Sequence, residues 1–191
     1  MTDVQIAQPR FLARAALGWL VAGLAIAVYV EITGAAFEDP VRSTFSEYVH
    51  TEQGARLVGV AMLMVGFAAL SVFGALGHEH RTASRLVGVF GAGLVLLAVF
   101  PQEPADMPLT WHGAIHRYVA LTAFVALPVA ALLLRDRLLR FLAVGSLATL
   151  VVFVATFVPA VGARAYSGLA ERVLLAADLV ILVVMARRAL R

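Results

Sequence analysis

Cysteine and lysine are both missing from the 191 residues. Without cysteine there are no disulfides, thiolate nucleophiles, iron–sulfur clusters or thiolate zinc sites, so any metal has to be held by histidine and carboxylates. Without lysine there is no Schiff-base chemistry, which excludes a retinal photoreceptor. Charge is scarce as well: 14% of residues are charged against 62% hydrophobic, and mean hydropathy is +0.91. A water-soluble domain has an apolar share of about one half. This balance excludes a cytosolic enzyme, a secreted disulfide module and a nucleic-acid binder whose basic surface would explain the pI of 9.9. What remains is a membrane protein.

Six apolar segments stand out, at about 15–36, 57–77, 83–100, 113–134, 138–162 and 168–187. A helix needs roughly 20 apolar residues to cross the hydrocarbon core. The segments therefore predict an all-α polytopic transmembrane bundle of six helices, one integral membrane domain over residues 1–191. The first run is long enough to span, so it reads as a retained helix and not a removed signal peptide. Short connections make neighbouring helices antiparallel. Gly88, Gly91, Ala92 and Gly93 predict close helix packing, and Pro128 and Pro159 predict a kink or a helix end. In the connection 37–56, Phe45, Tyr48 and Val49 recur at near-helical spacing and predict a short interfacial helix that could act as a lid.

Arginine placement orients the bundle, because short cytoplasmic loops accumulate positive charge. Arg10, Arg14, Arg81, Arg85, Arg135, Arg137, Arg140, Arg187, Arg188 and Arg191 fall on one side, and most acidic residues on the other. Both termini are then cytoplasmic, in a multi-pass membrane protein. The C-terminal arginines read as a topological anchor and not a nucleic-acid patch. The polar turn His78, Glu79, His80 and Arg81 reads the same way.

Ionisable residues inside apolar segments are costly unless they face protein or water. Glu31, His116, Arg117 and Asp178 are such residues, and counting from His112 and Val173 puts them on one level, roughly 7 Å below the outer boundary at ~1.5 Å per residue. Two arrangements fit. One is an ion-pair network with Arg117 between Glu31 and Asp178. The other is an outward-facing polar pocket, with Glu31, His116 and Asp178 as its floor and Arg117 and Arg172 meeting an anionic group of a small amphiphile or membrane lipid headgroup. Glu171 is placed to pair with an arginine across the bundle.

His112 and His116, spaced i to i+4, share a helix face and could be two ligands of a divalent metal such as zinc. Glu31, His50, Asp106 or Asp178 would then supply a third. Gly113, Ala114 and Ile115 between them offer no catalytic glutamate. A structural hydrogen-bonded pair, or proton transfer without metal, fits the same spacing. Ser46 and His50, also i to i+4, allow either a nucleophile–base pair or simple capping. A transporter using Glu31 and Asp178 would be expected to carry polar groups at the midplane of helices two, three and five, which are almost featureless there.

Four short motifs carry a resemblance: Ser-Glu-Tyr at Ser46–Tyr48, Val-Phe-Pro-Gln-Glu-Pro at Val99–Pro104, His-Gly-Ala-Ile-His at His112–His116, and Gly-Leu-Ala-Glu-Arg at Gly168–Arg172. Their order resembles the domain of unknown function 998 family of bacterial membrane proteins, over most of the chain from about Ala15 to Ala186. The resemblance implies a six-helix bundle with its recurring polar residues on the outer side. It also implies an acid after the Phe-Pro, here Glu103 or Asp106 because Gln102 follows the proline, a histidine at His116 and an arginine at Arg172. It implies no reaction. A looser analogy, to membrane-embedded zinc hydrolases of the ceramidase and adiponectin-receptor superfamily, meets no seventh helix and no third histidine here. Three functions follow as expectations: an amphiphile-binding pocket, a metal-dependent hydrolase or lipid-modifying enzyme, and a structural or assembly subunit.

Overall fold

The computed structural model describes residues 3–52, 54–77, 80–104 and 108–190, with side chains from residue 8 onward. Every regular element among them is helical. Six α-helices follow one another: α1 (Asp3–Gly34), α2 (Gly54–Leu76), α3 (Arg81–Val99), α4 (Trp111–Leu133), α5 (Arg137–Ala155) and α6 (Ser167–Ala189). The first five are long and apolar enough to cross a membrane. The sixth is more polar, carrying Glu171, Arg172 and Asp178 along its length and Arg187 and Arg188 in its last turn.

Apolar side chains are turned both ways. Leu127, Leu139, Leu174, Ile181 and Leu182 are fully buried in a core shared by the helices. Val21, Ile32, Phe141 and Val151 are 69–77% exposed. A soluble monomer rarely presents so much apolar surface, and a bilayer makes it favourable. The helices pack mainly on sequence neighbours; α1 runs along α2 and meets α6 over a shorter seam. At the α2–α3 crossing Gly66 and Gly91 face each other so closely that a Cβ on either would stand 3.0–3.1 Å from the other's carbonyl oxygen, as the small-residue pattern anticipates.

Several predicted boundaries shift. Helix α5 ends at Ala155, not near 162, because the residue before a proline disfavours the helical region. The chain then makes 3₁₀ turns at Pro159–Val161 and Arg164–Tyr166. Pro128 stays within α4. The lid-like helix of the first connection is a 3₁₀ turn, Phe45–His50, whose Phe45, Ser46 and Tyr48 are buried against the bundle.

At the opposite, arginine-rich end, Asp136 caps α5. Its Oδ1 accepts the Leu139 N–H at 2.9 Å, and its Oδ2 pairs with Arg188 at the end of α6. The Leu139 hydrogen bond first, and Arg188 with it, hold this carboxyl below its ordinary value of 3.8. Its contribution to stability is thus complete above about pH 4 and is lost as pH falls through the lower folded value. Melting curves recorded in detergent between about pH 3 and 6 should show a shallower acid limb for Asp136→Ala than for the parent. Identical limbs would mean that the cap carries no linkage.

Candidate functional site

The chain between α1 and α2 forms a cap over one end of the bundle, and the start of α6 holds it through its backbone. Leu169 N–H donates to Val41 O at 3.0 Å, Ser167 Oγ donates to Arg42 O at 2.7 Å, and Arg172 Nη1 donates to Ser43 O at 2.8 Å. The Phe45 N–H donates to Glu171 Oε2. Within the cap Glu47 Oε2 accepts the Thr44 N–H at 2.6 Å, and Glu47 Oε1 accepts from Arg164 Nη2 at 3.0 Å. Three glycines at helix ends let the cap come this close. A Cβ at Gly34 would strike the Tyr48 ring, one at Gly54 the Tyr48 carbonyl, and one at Gly168 the carbonyls of Ser43 and Pro40.

Arg172 is the hub beneath the cap. Besides Ser43 O, its Nη1 reaches Gly168 O at 3.1 Å, its Nη2 pairs with Glu31 Oε2 at 2.9 Å, and its guanidinium carbon lies 5.3 Å from the centre of the Tyr48 ring. Burial, reinforced by Glu31, pushes the Tyr48 phenol above its ordinary value of 10.0, so this ring is neutral at physiological pH. Glu31 therefore meets Arg172, not Arg117. The Arg117 side chain lies on an exposed face of α4, because successive helical residues are turned about 100° apart and its neighbour His116 points inward.

His116 is 5% exposed, with Nδ1 2.8 Å from Phe100 O. A carbonyl oxygen only accepts, so Nδ1 carries the proton, and in the neutral form of the ring Nε2 is an acceptor. His112 has different surroundings. It is exposed in the first turn of α4, its ring centre 3.6 Å from that of Trp111 and 5.5 Å from that of Phe100. Among the described residues no three His, Asp or Glu side chains converge as a metal would require; Asp106, like His78 and Glu79, lies outside those residues. His50 is exposed while Ser46 is buried, because a 3₁₀ turn repeats every three residues and separates positions i and i+4. Ser46 Oγ donates instead to Gln102 Oε1 at 2.5 Å. Glu103, after the Phe-Pro, accepts from Thr110 at the start of α4 and is held below its ordinary value, with the Thr110 side-chain hydrogen bond as the main cause.

Asp178 does not share the level of Glu31. Helix α6 begins at Ser167, close to the expected 168, so a depth counted from Val173 is six residues too shallow; Ser167, Glu171 and Arg172, in its first turns, are engaged by the cap. Asp178 consequently sits about 16 Å along α6 from its start. It is 2% exposed; Ser146 Oγ of α5 donates to its Oδ1 at 2.6 Å, while Oδ2 is buried without a partner. Nothing in the sequence singled out Ser146, a lone hydroxyl in a run of apolar residues.

These groups surround one cavity of about 240 Å³. Its cap end is lined by Ser46, Glu31, Glu171, Arg172 and His116, its length by residues such as Leu94 and Leu97 of α3 and Leu175 and Leu179 of α6, and its deeper part by Asp178. Leu24 and Val28 of α1 and Ala176 of α6 line it and are also exposed on the outer surface, so it opens sideways between α1 and α6. A smaller cavity of about 70 Å³ shares Ser46 and His116 with it.

The apolar helices and this arrangement define a multi-pass membrane protein. Residues 11–188 match the family described as Protein of unknown function (DUF998), and the chain belongs to that family. No curated protein and no solved structure matches it.

Proposed function

We propose that this is a six-span protein of a bacterial inner membrane, with both termini cytoplasmic and the cap outside, and that its cavity binds a small amphiphile or lipid. The orientation rests on the arginine count. With its end charge-paired to Glu31, α6 can serve as the sixth span, because its other buried carboxyls face the bundle and not lipid. The observation that carries the binding reading is the cavity itself: apolar along its length, polar under the cap, and open to the side. A single buried water needs only about 15 Å³, so a space this large with apolar walls suits a chain-like ligand.

Mass spectrometry of lipids retained through detergent purification tests the reading. The parent protein should carry an amphiphile in roughly stoichiometric amount, and Ala27→Trp, which fills the cavity from α1, should lose it while remaining folded by circular dichroism. Equal retention by both proteins would overturn the proposal.

A further inference from the structure

The polar atoms around the cavity are unevenly matched. On the donor side, the Arg172 charge is already balanced by Glu31, and both of its Nη atoms are engaged by Glu31, Ser43 O and Gly168 O. Only its Nε is buried without a partner, and it can satisfy a neutral oxygen. Arg117, the other cation expected to meet an anionic head, is absent from the lining. On the acceptor side stand Asp178 Oδ2, buried and unpartnered, the Nε2 of a His116 whose Nδ1 proton faces Phe100 O, and the Glu171 carboxyl. An anionic head would bring only acceptors to a site whose lining arginine is already paired, and would supply no donor to Asp178 Oδ2.

A buried oxygen with no hydrogen-bond partner costs free energy unless a ligand supplies the donor. Ser146 supplies one donor to Asp178, on Oδ1, and no described protein group supplies a second to Oδ2. The position of that oxygen matters too. Asp178 is about 16 Å along α6, and Leu24, beside the side opening, is about 15 Å from the end of α1. The unpartnered acceptor is therefore level with the gap to the bilayer and not with the cap.

We infer that the ligand is a single-chain amphiphile whose head donates hydrogen bonds, an alcohol or an ammonium, that it enters from the bilayer between α1 and α6, and that Asp178 Oδ2 accepts from it. This rests on the reading that the cavity holds an amphiphile and names the chemistry of that ligand. One chain is indicated because 240 Å³ lies below the roughly 300–1,000 Å³ of most ligand sites.

The test uses the full chain in phosphatidylcholine nanodiscs and three single-chain probes, alike in tail and diazirine, that end in a hydroxyl, an ammonium or a carboxylate. After irradiation, mass spectrometry maps labels onto α1 and α6. The hydroxyl or ammonium probe should label Leu24, Val28 or Leu175 at least about tenfold more than the carboxylate probe, the factor expected from one hydrogen bond to a charged or buried acceptor. Whichever donor labels more strongly identifies the head. Asp178→Asn keeps an oxygen for Ser146 and puts an N–H₂ at the other position, so it should erase that preference. Labelling by the carboxylate at the level of both donors in the parent, which needs no variant to fold, would overturn the donor assignment. So would a preference that survives Asp178→Asn. In both cases labelling of the lining that Ala27→Trp abolishes would leave the cavity reading standing; no labelling of the lining by any probe would overturn both.

Discussion

Replacing Arg172 with alanine should lower the unfolding free energy by about 3 kcal/mol, the low end for breaking a buried ion pair, since both partners keep some exposure. The loss has three parts. Glu31 is left beside the cavity without its cation, the carbonyls of Ser43 and Gly168 lose a donor, and the Tyr48 ring loses the guanidinium beside it. Lysine should recover only part of this, because an ammonium cannot reproduce the planar fork that reaches Glu31 with one nitrogen and two carbonyls with another. Removing the stranded charge as well, in Glu31→Gln with Arg172→Ala, should cost less than the sum of the two single changes. Reversible unfolding in mixed micelles, followed by circular dichroism, compares these four variants with the parent. A loss under about 1 kcal/mol for Arg172→Ala would show that the hub is an ordinary surface pair.

The second large effect is expected where the cap meets the helix ends. A methyl at Gly168 would run into the carbonyl oxygens of Ser43 and Pro40, and one at Gly54 into that of Tyr48, so the obstacles are backbone and cannot rotate away. Gly168→Ala or Gly54→Ala should therefore destabilise by about 2–3 kcal/mol, as overpacking does. Gly145→Ala is the control: it sits within α5 with nothing within 4 Å, and should be neutral or stabilising by up to about 1 kcal/mol. The same micelle unfolding decides it. If all three variants behave alike, close seating of the cap is not what those glycines provide.

The helices were legible because a long apolar run has few alternatives: the second, third, fourth and sixth segments lie within about three residues of the helices at both ends, while α1 starts twelve residues before the apolar run at 15, in polar residues that hydropathy does not count. The exceptions have local causes. The fifth segment runs on apolar through Phe157 and Val161, so hydropathy carries it to about 162, whereas Pro159, legible as a kink or helix end, accounts for the break after Ala155. The depth of Asp178 differs because it is counted from Val173, where the apolar run opens, whereas the helix itself starts at Ser167, close to the expected 168, with Glu171 and Arg172 inside it. Choosing Arg172 over Arg117 as the partner of Glu31 depended on which way two helices face, and spacing along one chain does not contain that. Ser146 and Gln102 were invisible for a simpler reason: each acquires its role only from a partner far away in sequence.

The attachment of the cap to α6 has one more consequence. Three consecutive carbonyls, of Val41, Arg42 and Ser43, and then the N–H of Phe45, are each claimed by a different group of residues 167–172. Main-chain atoms are the same whatever side chain they carry, so this stretch is recognised by its length and not by its letters. Val41 and Arg42, whose side chains point outward, are open to exchange. Adding or deleting a single residue between 41 and 45, by contrast, would shift every later group out of register with its partner at once. In its first stretch the cap behaves like a ruler laid against the first turns of the last helix.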